Sequence, residues 1–190
     1  VNAQNNALIA AVLERNTRTM SSPSNDFSSP AEDLPVANTP PFKNTAALLS
    51  SCLLESIRSV FQTMCGMPVE VDDATEAHEH HVSGIISLSG EVKATVVLSM
   101  HQDVVFAAAD GMLGMKPTEF DADVVDLVGE LSNMVVGNAK ERMKLQGVSL
   151  GLPTVVLGGR HEIAYRSNVT ITVLRFKSEF GPLVIEFGVA

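Results

Sequence analysis

The stretch DVVDLVGELSNMVVGNAKERM, residues 123–143, constrains the fold more than any other part of the chain. Residues three, four and seven apart share one face of a helix. At that spacing Val124, Leu127, Val128, Leu131, Met134 and Val135 form a broad apolar stripe, which must be buried against another layer. Asp126, Glu130, Asn133 and Gly137 line up on the other side. Asn is a poor helix former, and Gly mid-helix costs about 1 kcal/mol relative to Ala. Folding gives no reason to combine a carboxylate, a carboxamide and a bare backbone position in one row. A missing side chain at Gly137 lets another backbone approach closely. Asn138 falls on the apolar side, where a hydrogen-bonded structural role is expected.

The layer that the stripe needs is a sheet. HVSGIISLS and EVKATVVLSM are strand candidates joined by a turn at Ser89-Gly90. The second alternates, with Val92, Ala94, Val96, Leu98 and Met100 inward and Glu91, Lys93, Thr95 and Ser99 outward, as in a half-solvated antiparallel strand. Further candidates are PVEVDDAT, PTVVLG with HEIAYRS, NVTITVLRFK and PLVIEFGVA. TAALLSSCLLESIRSVFQTMCG reads as a helix stopped at Gly66, and HQDVVFAAADGMLG as a shorter one. Thr118 or Asp121 caps the long helix. Hairpins rather than helical crossovers link most strands. The fold class is therefore α+β, an antiparallel sheet of about six strands with the long helices packed on one face.

Residues 1–16 read as a short amphipathic helix and residues 17–43 as a Pro/Ser-rich linker holding five of the nine prolines. Residues 44–190 form the domain. The N-terminal stretch lacks the basic start of a signal peptide, and no apolar run nears the ~20 residues of a membrane span. A net charge of −9 argues against nucleic acid and anionic lipid as partners. Cys52 and Cys65 lie on one helix about 20 Å apart and cannot pair within it, which suits a reducing cytoplasm.

Several motifs weaken on inspection. HEHH at residues 78–81 brings at most two rings to one strand face and has no third ligand at a supporting spacing, so no metal site is expected. GVSLG at residues 147–151 matches a nucleophile elbow, but a helix precedes it and a strand follows, the reverse of what that elbow needs. It reads as a helix stop. LGGRHE at residues 157–162 lacks the rest of any phosphate-binding loop and reads as a hairpin turn.

At GELSNMVVGNAKERM the sequence resembles the CheX branch of the CheC/CheX/FliY family of chemotaxis phosphatases. The family's mark is an acidic or Ser residue, then E-x-x-N four residues on, in a long exposed helix, with a Pro some twenty residues later. Asp126, Glu130, Asn133 and, more loosely, Pro153 match it. SGIISLSGEVKATVVLSM and LPTVVLGG resemble the family's first hairpin and the strand after the helix. A second motif is broken in the first helix, where Glu55-Ser-Ile-Arg58 carries Arg in place of Asn. The resemblance implies a cytoplasmic homodimer, formed by sheet edges, that hydrolyses the aspartyl phosphate of a CheY-like response regulator in chemotaxis or another two-component circuit. It implies no cofactor of the chain's own, with Mg²⁺ carried by the regulator. Asn133 then holds the attacking water through one donor and one acceptor, as a carboxamide can. Glu130 pairs with a Lys of the regulator, and Asp126 and Gly137 face the partner. The alternative is a module that captures a phosphorylated receiver domain without hydrolysing it.

Overall fold

Each amphipathic segment finds its layer in the computed structural model, which describes residues 17–19, 42–73, 79–144, 147–159, 161, 163–165 and 169–190. The elements in chain order are β1 (Thr17–Thr19), α1 (Phe42–Met64), β2 (Glu70–Val71), β3 (Val82–Gly90), β4 (Ala94–Met100), α2 (Gln102–Leu113), α3 (Ala122–Met143), β5 (Val148–Leu150), β6 (Thr154–Leu157), β7 (Thr170–Ser178) and β8 (Gly181–Val189). The strands form one sheet in the order β1-β7-β8-β4-β3-β5, with β2 also on β7 and β6 also on β3. Every pairing is antiparallel. β5 and β6 share one edge of β3, as β1 and β2 share one edge of β7. The eight strands thus occupy six rows, and the α+β class with about six strands holds.

One face of the sheet carries the core. Ile86, Leu98, Leu174, Phe176, Ile185 and Phe187 meet Leu53, Ile57 and Phe61 of α1 and Val128, Leu131 and Val135 of α3, all buried. Each such side chain contributes about 1.5–3 kcal/mol on burial. α3 starts where Asp121 accepts a hydrogen bond from the Val124 N–H at 2.9 Å, so Asp121 is its cap rather than Thr118. α2 ends at Gly114 (φ 65), a left-handed position that suits glycine. α1 is pinned to α3 by the Ser56 hydroxyl, which donates to the Val135 carbonyl at 2.5 Å. Arg142 of α3 bonds Glu55 of α1 and Asn138, both at 2.8 Å, the structural use expected of Asn138.

The other face departs from the alternation read in the sequence. The turn after β3 falls at residues 91–93, beyond Gly90, and β4 begins at Ala94. Val97 and Ser99, on the side expected to be solvated, are 0% and 6% exposed. His161 and Tyr165, from the segment expected to make a hairpin with β6, reach this face. Residues 161 and 163–165 belong to no strand. Instead His161 lies at β3 and Tyr165 at β8. The His161 Nε2 lies 2.7 Å from the Ser83 hydroxyl, which is 2.6 Å from that of Ser99. Tyr165 stacks over Gly188, where an added Cβ would stand 3.1 Å from its Cδ1. Burial, with Glu186 nearby, pushes the Tyr165 hydroxyl well above its ordinary pKa.

Two other segments differ. PVEVDDAT yields only the short β2, and Thr17–Thr19, inside the stretch read as a linker, pair with β7. The helix expected over residues 1–16 lies outside the described residues, as does His78. His80 and His81 instead contact His161 and His101 edge to face, with ring centroids 4.8 and 4.6 Å apart. Among the described residues no three His, Cys, Asp or Glu side chains converge as a metal site would require.

Candidate active site

α3 lies over the β3 edge of the sheet, and two close contacts fix how it sits. At Gly84 of β3 an added Cβ would come 2.8 Å from Ser132 Cβ, so the absence of a side chain lets the helix settle on the strand. At Gly129 an added Cβ would stand 3.5 Å from Pro153 Cγ and 3.7 Å from Val155 Cγ2. The edge strand next to α3 is interrupted between β5 and β6, and Pro153 closes that interruption against Gly129. The proline loosely assigned from sequence therefore stands beside Glu130.

Val125, Asp126, Gly129, Glu130, Pro153 and Val155 line a groove of about 650 Å³. Asp126 and Glu130 are exposed and Asn133 is half-buried one turn further along. Cβ atoms three residues apart on a helix are about 5–6 Å from each other, so Glu130 and Asn133 can address one small group together. Among the described residues, neither side chain takes part in a hydrogen bond or ion pair. A carboxylate and a carboxamide with free valences beside a groove can bind a cation or an ammonium group and can orient a water.

Gly137 ends the row. An added Cβ there would lie 3.6 Å from Leu150 Cδ1, an ordinary contact, so packing within the chain does not demand glycine. Glu55 and Arg58, where a second motif would stand on α1, make no comparable site, because Glu55 is engaged by Arg142. Sequence reading missed Gly129 and Leu150. Gly129 adjoins Glu130 in the motif, and a glycine on the edge of an apolar stripe signals a close neighbour. Nothing local pointed to Pro153 as that neighbour.

An antiparallel sheet backed by long helices, one of them presenting an unpaired Glu-x-x-Asn row beside a groove, is the class of domain this chain forms. The family described as chemotaxis phosphatase CheX matches residues 82–177. A CheC-like superfamily protein from Shewanella sp. PV-4 is 30% identical over 75% of this chain and 97% of its own, with a TM-score of 0.66. Chemotaxis protein CheX from Vibrio vulnificus is 26% identical over 75% of this chain and 99% of its own, with a TM-score of 0.68. A chain of the CheX–CheY–BeF3–Mg²⁺ complex from Borrelia burgdorferi shares the fold at 16% identity, over 73% of this chain and 95% of its own, with a TM-score of 0.56. No curated protein matches. The chain belongs to the CheX family of chemotaxis phosphatases. Among the described residues no helix is long and apolar enough to cross a membrane.

Proposed function

We propose that this chain is a phosphatase of a CheY-like response regulator, with Glu130 and Asn133 as its working residues. The observation that carries the reading is the unpaired state of both side chains, one helical turn apart beside the Gly129–Pro153 contact, in a member of this family. An aspartyl phosphate is a reactive acyl phosphate. Its hydrolysis needs positioning and charge stabilisation more than a new nucleophile. Water attacks phosphorus, the bond from phosphorus to the aspartyl oxygen breaks, and the carboxylate and inorganic phosphate are released. Asn133 holds the water by accepting a hydrogen bond from it at Oδ1 and donating one to it from Nδ2. Glu130 pairs with a cationic side chain of the receiver domain and fixes the docking register. Asp126 and Gly137 border the contact.

The charge on the phosphoryl oxygens must still be neutralised. The reading gives the chain no cofactor of its own and places that task on a Mg²⁺ carried by the regulator. A complex of a CheX with CheY, BeF3 and Mg²⁺ in Borrelia burgdorferi is in keeping with that division of labour. The working place is the cytoplasm, where such regulators reside, and the expected assembly is a homodimer.

The decisive experiment times phosphate loss from several phosphorylated receiver domains with the wild-type protein and with Asn133→Ala. Turnover should fall about 100-fold or more, the scale of losing reactant positioning. Binding to the BeF3-loaded receiver should change little, and chelator should abolish the activity. Near wild-type turnover by Asn133→Ala removes the water-holding role. Binding without any wild-type turnover would leave a capture module in its place.

A further inference from the structure

Leu152 is 91% exposed, whereas the other exposed large hydrophobic side chains among the described residues lie between 39% and 50%. It sits in the interruption between β5 and β6, and its neighbours are held on both sides. The Gly151 N–H donates to the Ser87 carbonyl at 2.8 Å, and a Cβ at Gly151 would collide with the Ser87 hydroxyl. Pro153 is packed against Gly129 and restricts Leu152 to extended backbone. A loose loop can fold an exposed leucine back onto the surface. This one is pinned at both ends, so the side chain stays in water.

Its place along α3 follows from the same contacts. Leu150 stands against Gly137 and Pro153 against Gly129, so Leu152, between them along the chain, is level with the turn that bears Asn133. Leu152 and the Glu130–Asn133 row therefore share one rim. A partner docked over Asn133 has Leu152 beside its footprint.

We infer that Leu152 is an apolar anchor for the receiver domain, seated in an apolar socket beside its phosphorylated aspartate; this rests on the phosphatase reading above. Fully burying one leucine is worth about tenfold to hundredfold in affinity. Leu152 touches no reacting atom, so its contribution is to docking.

The test uses the full chain with Leu152→Ala and Leu152→Asp. It measures steady-state hydrolysis and direct titration with the BeF3-loaded receiver, with Asn133→Ala in parallel. For Leu152→Ala, KM and Kd should rise about tenfold to hundredfold, and more for Asp, with kcat at saturation within about twofold of wild type. Unchanged KM and Kd for both variants, with Asn133→Ala inactive, would overturn the anchor and leave the phosphatase reading intact. If Asn133→Ala is fully active the phosphatase reading fails, and the Kd of Leu152→Asp alone then decides the anchor. A changed sedimentation coefficient for Leu152→Asp would show that a second copy of the chain covers Leu152, which overturns the inference.

Discussion

Gly84→Ala should damage the site without touching it. The new Cβ would stand 2.8 Å from Ser132 Cβ and 3.4 Å from the Val128 carbonyl oxygen. The Ser132 hydroxyl can swing aside by giving up its 2.8 Å bond to Val128. Its Cβ moves only with the helix backbone. Restoring an ordinary separation of about 3.4–4 Å lifts this turn of α3 off β3 by about 0.6–1.2 Å. Overpacking of that kind costs about 1–3 kcal/mol. A chain of this size should lose about 2–12 °C in Tm. Glu130 and Asn133 flank Ser132 on the displaced turn, and a misplacement of about 1 Å can cost 100-fold in rate. Thermal unfolding followed by circular dichroism gives the first quantity, and receiver dephosphorylation well below Tm gives the second. In the double variant Gly84→Ala with Ser132→Gly the clash is gone, so turnover should recover even though a mid-helix glycine costs stability. Wild-type Tm and turnover in Gly84→Ala would refute the seating. Failure of the double variant to recover turnover would refute the link from seating to catalysis.

Other consequences are independent of that contact. Glu130→Gln should weaken receiver binding about tenfold or more, the worth of a charge-assisted hydrogen bond. The deficit should shrink as salt rises, and unchanged affinity at low salt excludes the ion pair. A chain beginning near Asn44 should still sediment as a homodimer, because the sheet retains edges with unpaired backbone groups; a monomer at micromolar concentration contradicts this. Burial pushes the Cys65 thiol from 9.0 up to about 11. The unfolded thiol ionises first, so unfolding free energy is flat below about pH 8.5 and falls through pH 9–11, by roughly 2–3 kcal/mol. Urea titrations of Cys65→Ala should lack that part of the slope, and an identical slope would place the titration elsewhere.

How legible the fold was depended on whether a contact left a periodic trace. The stripe on α3 did, and the helix read over residues 123–143 is observed as Ala122–Met143. The inward face of β4 did as well. The outward face did not, because its cover is a non-periodic segment. The His161–Ser83 bond spans 78 residues, and a histidine after Gly-Gly-Arg carries no sign of a partner that far away. HEIAY contains apolar residues at strand spacing, so local pattern favoured a hairpin. The tertiary path across the sheet prevailed. β1 was hidden by composition for a similar reason. Its three residues are defined by the edge of β7 rather than by any propensity of their own.

At the site, the same helix serves two sets of contacts through different residues. Ser132 meets β3, Gly129 meets Pro153, and Val135 and Arg142 hold α1, while Glu130 and Asn133 engage none of these. Packing therefore fixes the helix, and the motif residues are left free to act outward. That separation explains why the Glu-x-x-Asn row stood out in the sequence: it is the part of α3 that the fold does not explain. It also explains why α1 offers no second site. Glu55 has the right spacing from residue 58, but its carboxylate is bound to Arg142 across the helix pair. Under the proposed reading, Arg58 in place of Asn leaves no water-holding group there, and Arg142 occupies the carboxylate. Both halves of the motif are thus lost on α1, and among the described residues the row on α3 stands alone.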